Sequence, residues 1–454
     1  MMQDLEPLED ISDDIVQSIL ESRQQVTEKM VEDEHMEEMI TCCLEWLDDF
    51  VKSNMKLFHH KDYEEQWRSY LEDICEEHYY ELLDENDDII HTIVDQSIER
   101  YYYIMPLRSR KDSTILYVPK KTHITTILNH LQNVNENLPA QRTSEWYDFR
   151  HNLLSASSLW KVFDTDAMQN QLIYEKCQPI QTDKYSHVNI HSPLHWGQKY
   201  EPLSIMYYEH TYNTKISEYG CIPHGSYSFI GASPDGINTK KNNDRYGRML
   251  EIKNVVSRVI DGKPKKEYWI QMQLQMECCN LDECDFLECK FDTYKDAQEF
   301  YEDNIDDDIC NTSKENCYKG VIIVFFDNGR PVYEYMPIQL QSKKEIDSWM
   351  KKTMKQNEHY TWVQNDYWKL STVSCVLVER NREWFQTVVP EIKSFWDIIL
   401  YERENGYDHR KPNKRQKKET ICLIGEEDKK ISLPITNPKI KKQPSNALVI
   451  ELDI

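Results

Sequence analysis

Long apolar runs are missing from this chain. No stretch approaches the roughly eighteen apolar residues that a membrane-spanning helix needs, and no signal peptide opens the sequence. The expectation is a soluble intracellular protein, with no membrane partner and with its thiols reduced. Thirteen cysteines are present, yet no pair is spaced Cys-x-x-Cys. The densest group, Cys278, Cys279, Cys284 and Cys289, straddles two expected elements, so buried or free thiols are favoured over an iron–sulfur cluster. Glycine is scarce at 11 of 454 residues, and many long amphipathic runs suggest a helix-rich protein around a modest sheet. The length suggests two or three domains.

Basic charge is the other deficit. A formal net charge of −25 argues against nucleic acid, because phosphate binding rests on Lys and Arg. The imbalance is local, however. The first hundred residues carry 30 acidic against 7 basic side chains, and the other 354 carry 49 against 47. Residues 1–103 read as an acidic all-helical region of three or four helices. Their apolar stripes are marked by Ile11, Ile15, Ile19 and Val26, by Met39, Leu44, Leu47 and Val51, by Tyr70, Leu71, Ile74, Leu82 and Leu83, and by Ile89, Ile90, Ile93 and Ile98. Partner docking or a soluble cap suits such helices better than mimicry of DNA charge. Residues 104–136, with Arg108, Arg110, Lys111, Lys120 and Lys121, read as a basic connector, and 405–454 as a basic, disordered tail. The tail's run Lys411–Lys418 is a candidate localisation signal or DNA tether, and such runs are often neither.

Residues 137–404 hold the chemistry. Gly231-Ala232-Ser233-Pro234-Asp235-Gly236-Ile237 is followed by Leu250-Glu251-Ile252-Lys253. An aspartate on a turn, then Glu-x-Lys in an apolar run, supplies hard oxygen ligands for Mg²⁺ or Mn²⁺ rather than zinc. Asp235 and Glu251 are the candidate side-chain ligands and the Ile252 carbonyl a third. Strand alternation puts Lys253 on the same face as Glu251, where it can orient a water or offset phosphate charge. In a chain with 29% charged residues the spacing alone is weak, and a solvated hairpin competes with it.

Three further features strengthen it. Trp146 and Arg150 lie four apart on one helical face, and Ser155 reads as the N-cap of a helix carrying Leu159, Trp160, Val162 and Phe163. A serine, a helix start and an arginine suit a terminal phosphate, although taken alone these residues read better as a plain capped helix with one surface arginine. Trp196–Glu201 opens a helix whose Glu201 could reach a metal-bound water. Tyr268–Met276 alternates glutamines with large apolar residues; its length favours a helix with Gln271 and Gln275 on one face. Eight basic residues flank these segments: Lys240, Lys241, Arg245, Arg248, Arg258, Lys263, Lys265 and Lys266. The loop 262–266 could grip a DNA backbone or be an ordinary solvated loop. Further on, Phe286–Phe291 and Gly320–Phe326 read as strands, Asp327-Asn328-Gly329 as a hairpin turn into 331–336, and 342–358 and 381–404 as helices.

In this order the segments EWYDFRHNLLSAS, WGQKYE, GASPDGI, LEIK and WIQMQ resemble the YqaJ-like viral recombinase family, which includes the phage lambda-type exonucleases of the PD-(D/E)xK superfamily. The likeness covers about residues 139–290. It implies an α/β (α+β) fold with a restriction-endonuclease-like core, a central mixed sheet flanked by helices. It implies Asp235, Glu251 and the Ile252 carbonyl as metal ligands, Lys253 as the catalytic lysine, and Glu201 as an acid near a second metal. Arg150, Ser157, Ser233 and Gln271 match positions that hold a 5′-phosphate, and Gln273 matches the second glutamine of that helix. One or two Mg²⁺ (or Mn²⁺) ions would be the cofactor and duplex DNA ends the substrate, removed 5′-to-3′ in viral-type recombination, repair or replication. A single-strand annealing protein and a homo-oligomer are the partners the family suggests, and a viral source would place the protein in host cytoplasm or nucleus. Two readings stay open beside the exonuclease: a DNA or RNA endonuclease on the same site, and a recruiting scaffold of acidic helices with a vestigial nuclease.

Overall fold

The computed structural model describes residues 35–60, 62–79, 87–104, 121–140, 143–180, 190, 192–411, 441–442 and 448–449. The helix expected around Ile11–Val26, residues Leu82 and Leu83, and most of the tail lie outside them.

The acidic helices form by apolar spacing. Helix α1 (35–53) buries Ile40, Cys43, Leu47 and Val51 on one face. After a 3-10 turn at Met55–His59, α2 (Tyr63–Tyr79) buries Tyr63, Trp67, Leu71 and Cys75, and α3 (Asp87–Ile104) adds Ile90, Ile93, Val94 and Ile98. These faces do not close a core of their own. Phe58 stacks on Trp269 at 6.1 Å, and Trp269 meets Trp384 edge-on at 5.0 Å, so the helices share one buried cluster with the middle and end of the chain. The change near residue 103 is therefore one of charge and not of packing.

The expected connector is a helix over its second half. Helix α4 (Lys121–Glu136) buries Leu128 and Leu131, and its Asn135 Oδ1 accepts from the Gly220 amide at 2.7 Å. Ile124 lies so close to Gly247 (φ +84°) that any side chain there would collide. Residues 105–120 lie outside the described ones.

Next come α5 (Ser144–His151), β1 (Leu154–Ser155), α6 (Ala156–Leu159), α7 (Asp166–Cys177) and α8 (Pro193–Thr211). The short strands β2 (Ile216–Ser217), β3 (Ile222–Pro223), β4 (Ile230–Ala232) and β5 (Gly236–Asn238) lead into β6 (Met249–Val255). Helix α9 (Lys266–Cys279) crosses to β7 (Glu283–Thr293), then α10 (Ala297–Glu302), β8 (Lys319–Asp327) and β9 (Arg330–Tyr335) follow. Helix α11 (Lys343–Gln356), strand β10 (Thr361–Glu379) and helix α12 (Arg382–Asn405) complete this unit.

The main sheet runs β2-β5-β6-β7-β10-β8-β9, and a small one runs β1-β4-β3. Only the β6–β7 pair of the main sheet is parallel, as its α9 crossover requires; its other pairs are antiparallel. This is the mixed α+β sheet flanked by helices that the sequence implies. The β8–β9 hairpin closes through Asn328 (φ 48°) and Gly329 (φ +81°), the left-handed pair that a two-residue turn demands. Helix α11 starts with a reciprocal cap between Ser342 and Glu345, and α12 with Asn381 accepting from the Trp384 amide. Helix α9 buries every residue from Trp269 to Cys279, so it is the central helix of the fold. Cys278, Cys279, Cys284 and Cys289 are buried thiols. Among the described residues no helix is long and apolar enough to cross a membrane. Separately, Lys441–Lys442 pairs antiparallel with Leu448–Val449.

Candidate active site

Strand β4 ends in the turn Ser233-Pro234-Asp235, and β5 turns back against β6. Gly236 permits this, since a Cβ there would strike Ile216. The β5–β6 pairing covers only Gly236 opposite Leu250 and Ile237 opposite Met249. Beyond Leu250 that edge of β6 has no strand partner. The Ile252 amide fills the gap by donating to Asp235 Oδ2 at 2.7 Å. In an extended strand a residue's N–H and C=O point to the same side, so the Ile252 carbonyl also faces this open edge.

Alternation along β6 divides its side chains. Leu250 and Ile252 join an apolar cluster with Tyr200 and Leu203 of α8. Glu251 and Lys253 take the opposite face, toward α9. Glu251 is completely buried and fully engaged: Gln271 Nε2 and Gln275 Nε2 each donate to it at 2.7 Å, and Lys253 pairs with it. Gln275 also donates to the Ser233 carbonyl at 3.2 Å, and Ser233 Oγ lies 3.4 Å from Arg150 Nη1. A chain of contacts thus runs from Lys253 through Glu251, Gln275 and Ser233 to Arg150.

Charge is crowded here. Burial, then the nearby Glu251 carboxylate, hold the Asp235 carboxyl well above the ordinary range, with Lys253 opposing. Burial followed by Glu218 and Glu251 raises Glu201 on α8. Burial alone would lower Lys253, but the carboxylates of Glu251 and Asp235 more than offset it and keep the ammonium charged. Three carboxylates facing one ammonium leave a negative excess in a buried place, a situation a cation relieves. Among the described residues no three Asp, Glu, His or Cys side chains already form a closed ligand set. Asp235 and Glu251 are a pair, and the Ile252 carbonyl is a third oxygen on the same open edge. This all-oxygen donor set fits a hard divalent cation, and Gln275 Oε1 is a further buried acceptor without a partner among the described residues.

The other expected positions divide. Arg150 sits half-buried over Trp146, 4.8 Å from its ring, and among the described residues no carboxylate pairs with it. Lys176 donates to the Arg150 carbonyl at 2.7 Å; burial, then Arg150 and Arg403, lower its ammonium to about 8. The neighbourhood is cationic and suits an anion. Ser157 is exposed, 3.4 Å from Ser155 Oγ, and among the described residues no hydrogen bond joins it to Arg150 or Ser233. Ser155 is the N-cap residue, but its hydroxyl meets Ser158 instead of capping, and α6 lasts four residues before tightening into a 3-10 turn. Gln271 spends its amide on Glu251 rather than on the arginine. Gln273, two positions or about 200° around the helix from Gln271, faces away from it, donating to the Glu379 carbonyl at 2.8 Å and accepting from the Asn381 amide at 2.7 Å. The member missing from the expected set is Gln275, whose signal was its shared face with Gln271.

Residues 145–282, which contain every one of these positions, match the model of the YqaJ-like viral recombinase domain. A protein of Acanthamoeba polyphaga mimivirus is 31% identical over 303 residues, 59% of this chain and 53% of that protein. The chain therefore spans about half the length of that relative. An alkaline exonuclease from Laribacter hongkongensis overlays with a TM-score of 0.31 and 19% identity, covering 59% of this chain and 95% of that one. A phage-related exonuclease from Haemophilus somnus gives 0.30 and 13%, covering 56% and 98%.

Proposed function

We propose that the protein is a metal-dependent exonuclease that hydrolyses duplex DNA from its ends, 5′-to-3′. The observation that carries this is the junction at the open edge of β6, where Asp235, Glu251 and Lys253 meet and where Gln275 links Glu251 to Ser233, which in turn touches Arg150. When bound by Asp235, Glu251 and the Ile252 carbonyl, Mg²⁺ or Mn²⁺ would supply Lewis-acid activation of water and stabilise charge on phosphate. The protein's own groups do the rest. Gln271 and Gln275 fix the orientation of Glu251. Lys253, held charged, offsets negative charge on the phosphate under attack. Glu201, with its raised carboxyl, borders the cluster and is suited to a second cation or to holding a proton. Arg150 and Ser233 anchor a terminal 5′-phosphate, and a fixed anchor beside the cleavage point turns cutting into stepwise removal.

End dependence tests this. Linear duplex labelled separately at 5′ and 3′ ends, with closed circles alongside, should lose 5′ label first while circles stay intact. Cut circles would replace the exonuclease by an endonuclease, and early loss of 3′ label would reverse the direction.

A further inference from the structure

Eight basic residues flank the site, and the structure separates them by what already holds their charge. Arg248 is buried with Glu283 and Asp285, and Arg245 pairs with Asp285, so both are spent inside the fold. Lys263 pairs with Glu64 of α2 at 2.6 Å, Lys266 donates to the Phe163 carbonyl at 2.5 Å, and Lys240 donates to Asn213 Oδ1 at 2.7 Å. Lys241 and Lys265 are exposed. Arg258 is different. It leaves the end of β6 just past Lys253, and the two cations share one ring: Lys253 Nζ lies 4.9 Å and Arg258 Cζ 5.7 Å from the centre of Tyr268.

Its anchor is built into the sheet. Glu288 of β7 is in parallel register with Lys253 of β6, so both side chains project on the face that carries Glu251. Glu288 is completely buried, and its Oε1 holds Arg258 Nη2 while its Oε2 has no partner among the described residues. The guanidinium is therefore held by one carboxylate oxygen rather than a closed fork. Of its five N–H groups, one goes to Glu288 and another reaches the Val259 carbonyl at 3.4 Å. The rest have no partner among the described residues, on a side chain that is 22% exposed. A buried acid fixing a partly exposed arginine beside Lys253 leaves guanidinium N–H groups directed outward, where charge-assisted hydrogen bonds to a ligand anion can form.

We infer that Arg258, positioned by Glu288, is a contact for the DNA phosphate backbone next to the cleavage point, resting on the nuclease reading above. It extends the cationic surface from Lys253 along the loop 256–265. Lys263, in the same loop, and Lys266, at the start of α9, are held by the protein itself.

The test is equilibrium binding of a 5′-phosphorylated duplex by the full chain, in chelator so that nothing is cut, across a series of salt concentrations. Arg258→Lys keeps the charge and should keep the salt dependence. Arg258→Ala should lower the slope of log Kd against log salt by about 0.9, the value of one phosphate contact. Because Arg258→Ala strands the buried Glu288, Arg258→Gln combined with Glu288→Gln is the decisive variant, and it should show the same loss while melting close to wild type. Lys263→Ala should leave the slope unchanged. A folded double variant with the wild-type slope overturns the assignment. A wild-type chain without affinity for duplex DNA at any salt overturns the nuclease reading itself, which is a separate outcome.

Discussion

Replacing Arg150 with alanine isolates the end-recognising part of the site from its chemistry. Arg150 has no carboxylate partner among the described residues, so its loss strands no buried charge; it forfeits the contact over Trp146, about 0.5–1 kcal/mol. Against a terminal phosphate the loss is larger. One hydrogen bond to a charged group contributes about 1.5–3 kcal/mol. At about 1.4 kcal/mol per factor of ten, kcat/KM on 5′-phosphorylated ends should fall roughly 10- to 150-fold. Ends bearing a 5′-hydroxyl offer no such contact and should change by less than about threefold. The assay is paired kcat/KM on duplexes that differ only in that phosphate, with melting curves to confirm folding. An equal loss on both kinds of end would refute the pocket, since Arg150 would then serve the fold or the general path of DNA.

The two glutamines that flank Leu274 should behave oppositely. Gln273→Ala removes the tie between α9 and the β10–α12 junction and should cost about 2 kcal/mol of stability, read by denaturant unfolding, with little change in kcat per folded molecule. Gln275→Ala leaves one oxygen of Glu251 unheld and should lower kcat roughly tenfold or more with a smaller stability change. Phe58→Ala should cost about 3–5 kcal/mol, because it empties the contact between the acidic helices and Trp269; a shift near zero in a thermal melt would show that those helices are independent. Lys319 is buried with Phe300 O and Asn304 as partners, and burial lowers its ammonium to about 8. Between pH 8 and its unfolded value near 10.5 the unfolded chain binds the extra proton, so wild-type stability gains as pH rises through that window. Lys319→Met lacks this gain, and the mutant-minus-wild-type melting difference should move downward from pH 7 to pH 9.5.

The parts of this fold legible in sequence are those set by local chemistry. The Asn328-Gly329 turn, the Ser342 capping box and the Asn381 cap follow from residue type and position, and the strands on either side of the hairpin follow from their apolar runs. Strand β10 was not legible. Its nineteen residues pair with β8 over one half and β7 over the other, with register shifts near Trp362 and Leu370 that break the alternation a reader would count. Nor could the apolar stripes of α1, α2 and α3 show that they share a core with α9, because an apolar stripe does not name the surface it will cover. In the site, Glu251 and Lys253 follow from strand period and Gln271 with Gln275 from helix period. Gln273 and Gln275 point different ways because likeness to a family transfers a position, whereas helix geometry decides which way its side chain faces. Arg258 was one of eight similar charges until Tyr268 and Glu288 distinguished it.

The most direct measurement is cleavage of an end-labelled duplex by the purified protein with Mg²⁺, with chelator, and with Asp235→Asn and Lys253→Ala in place of wild type. The account expects shortening of the duplex by wild type with Mg²⁺ alone, and intact DNA in the other three reactions while both variants melt as folded proteins. Cleavage by folded Asp235→Asn or Lys253→Ala at near the wild-type rate would contradict it, because the chemistry would then lie outside the edge of β6.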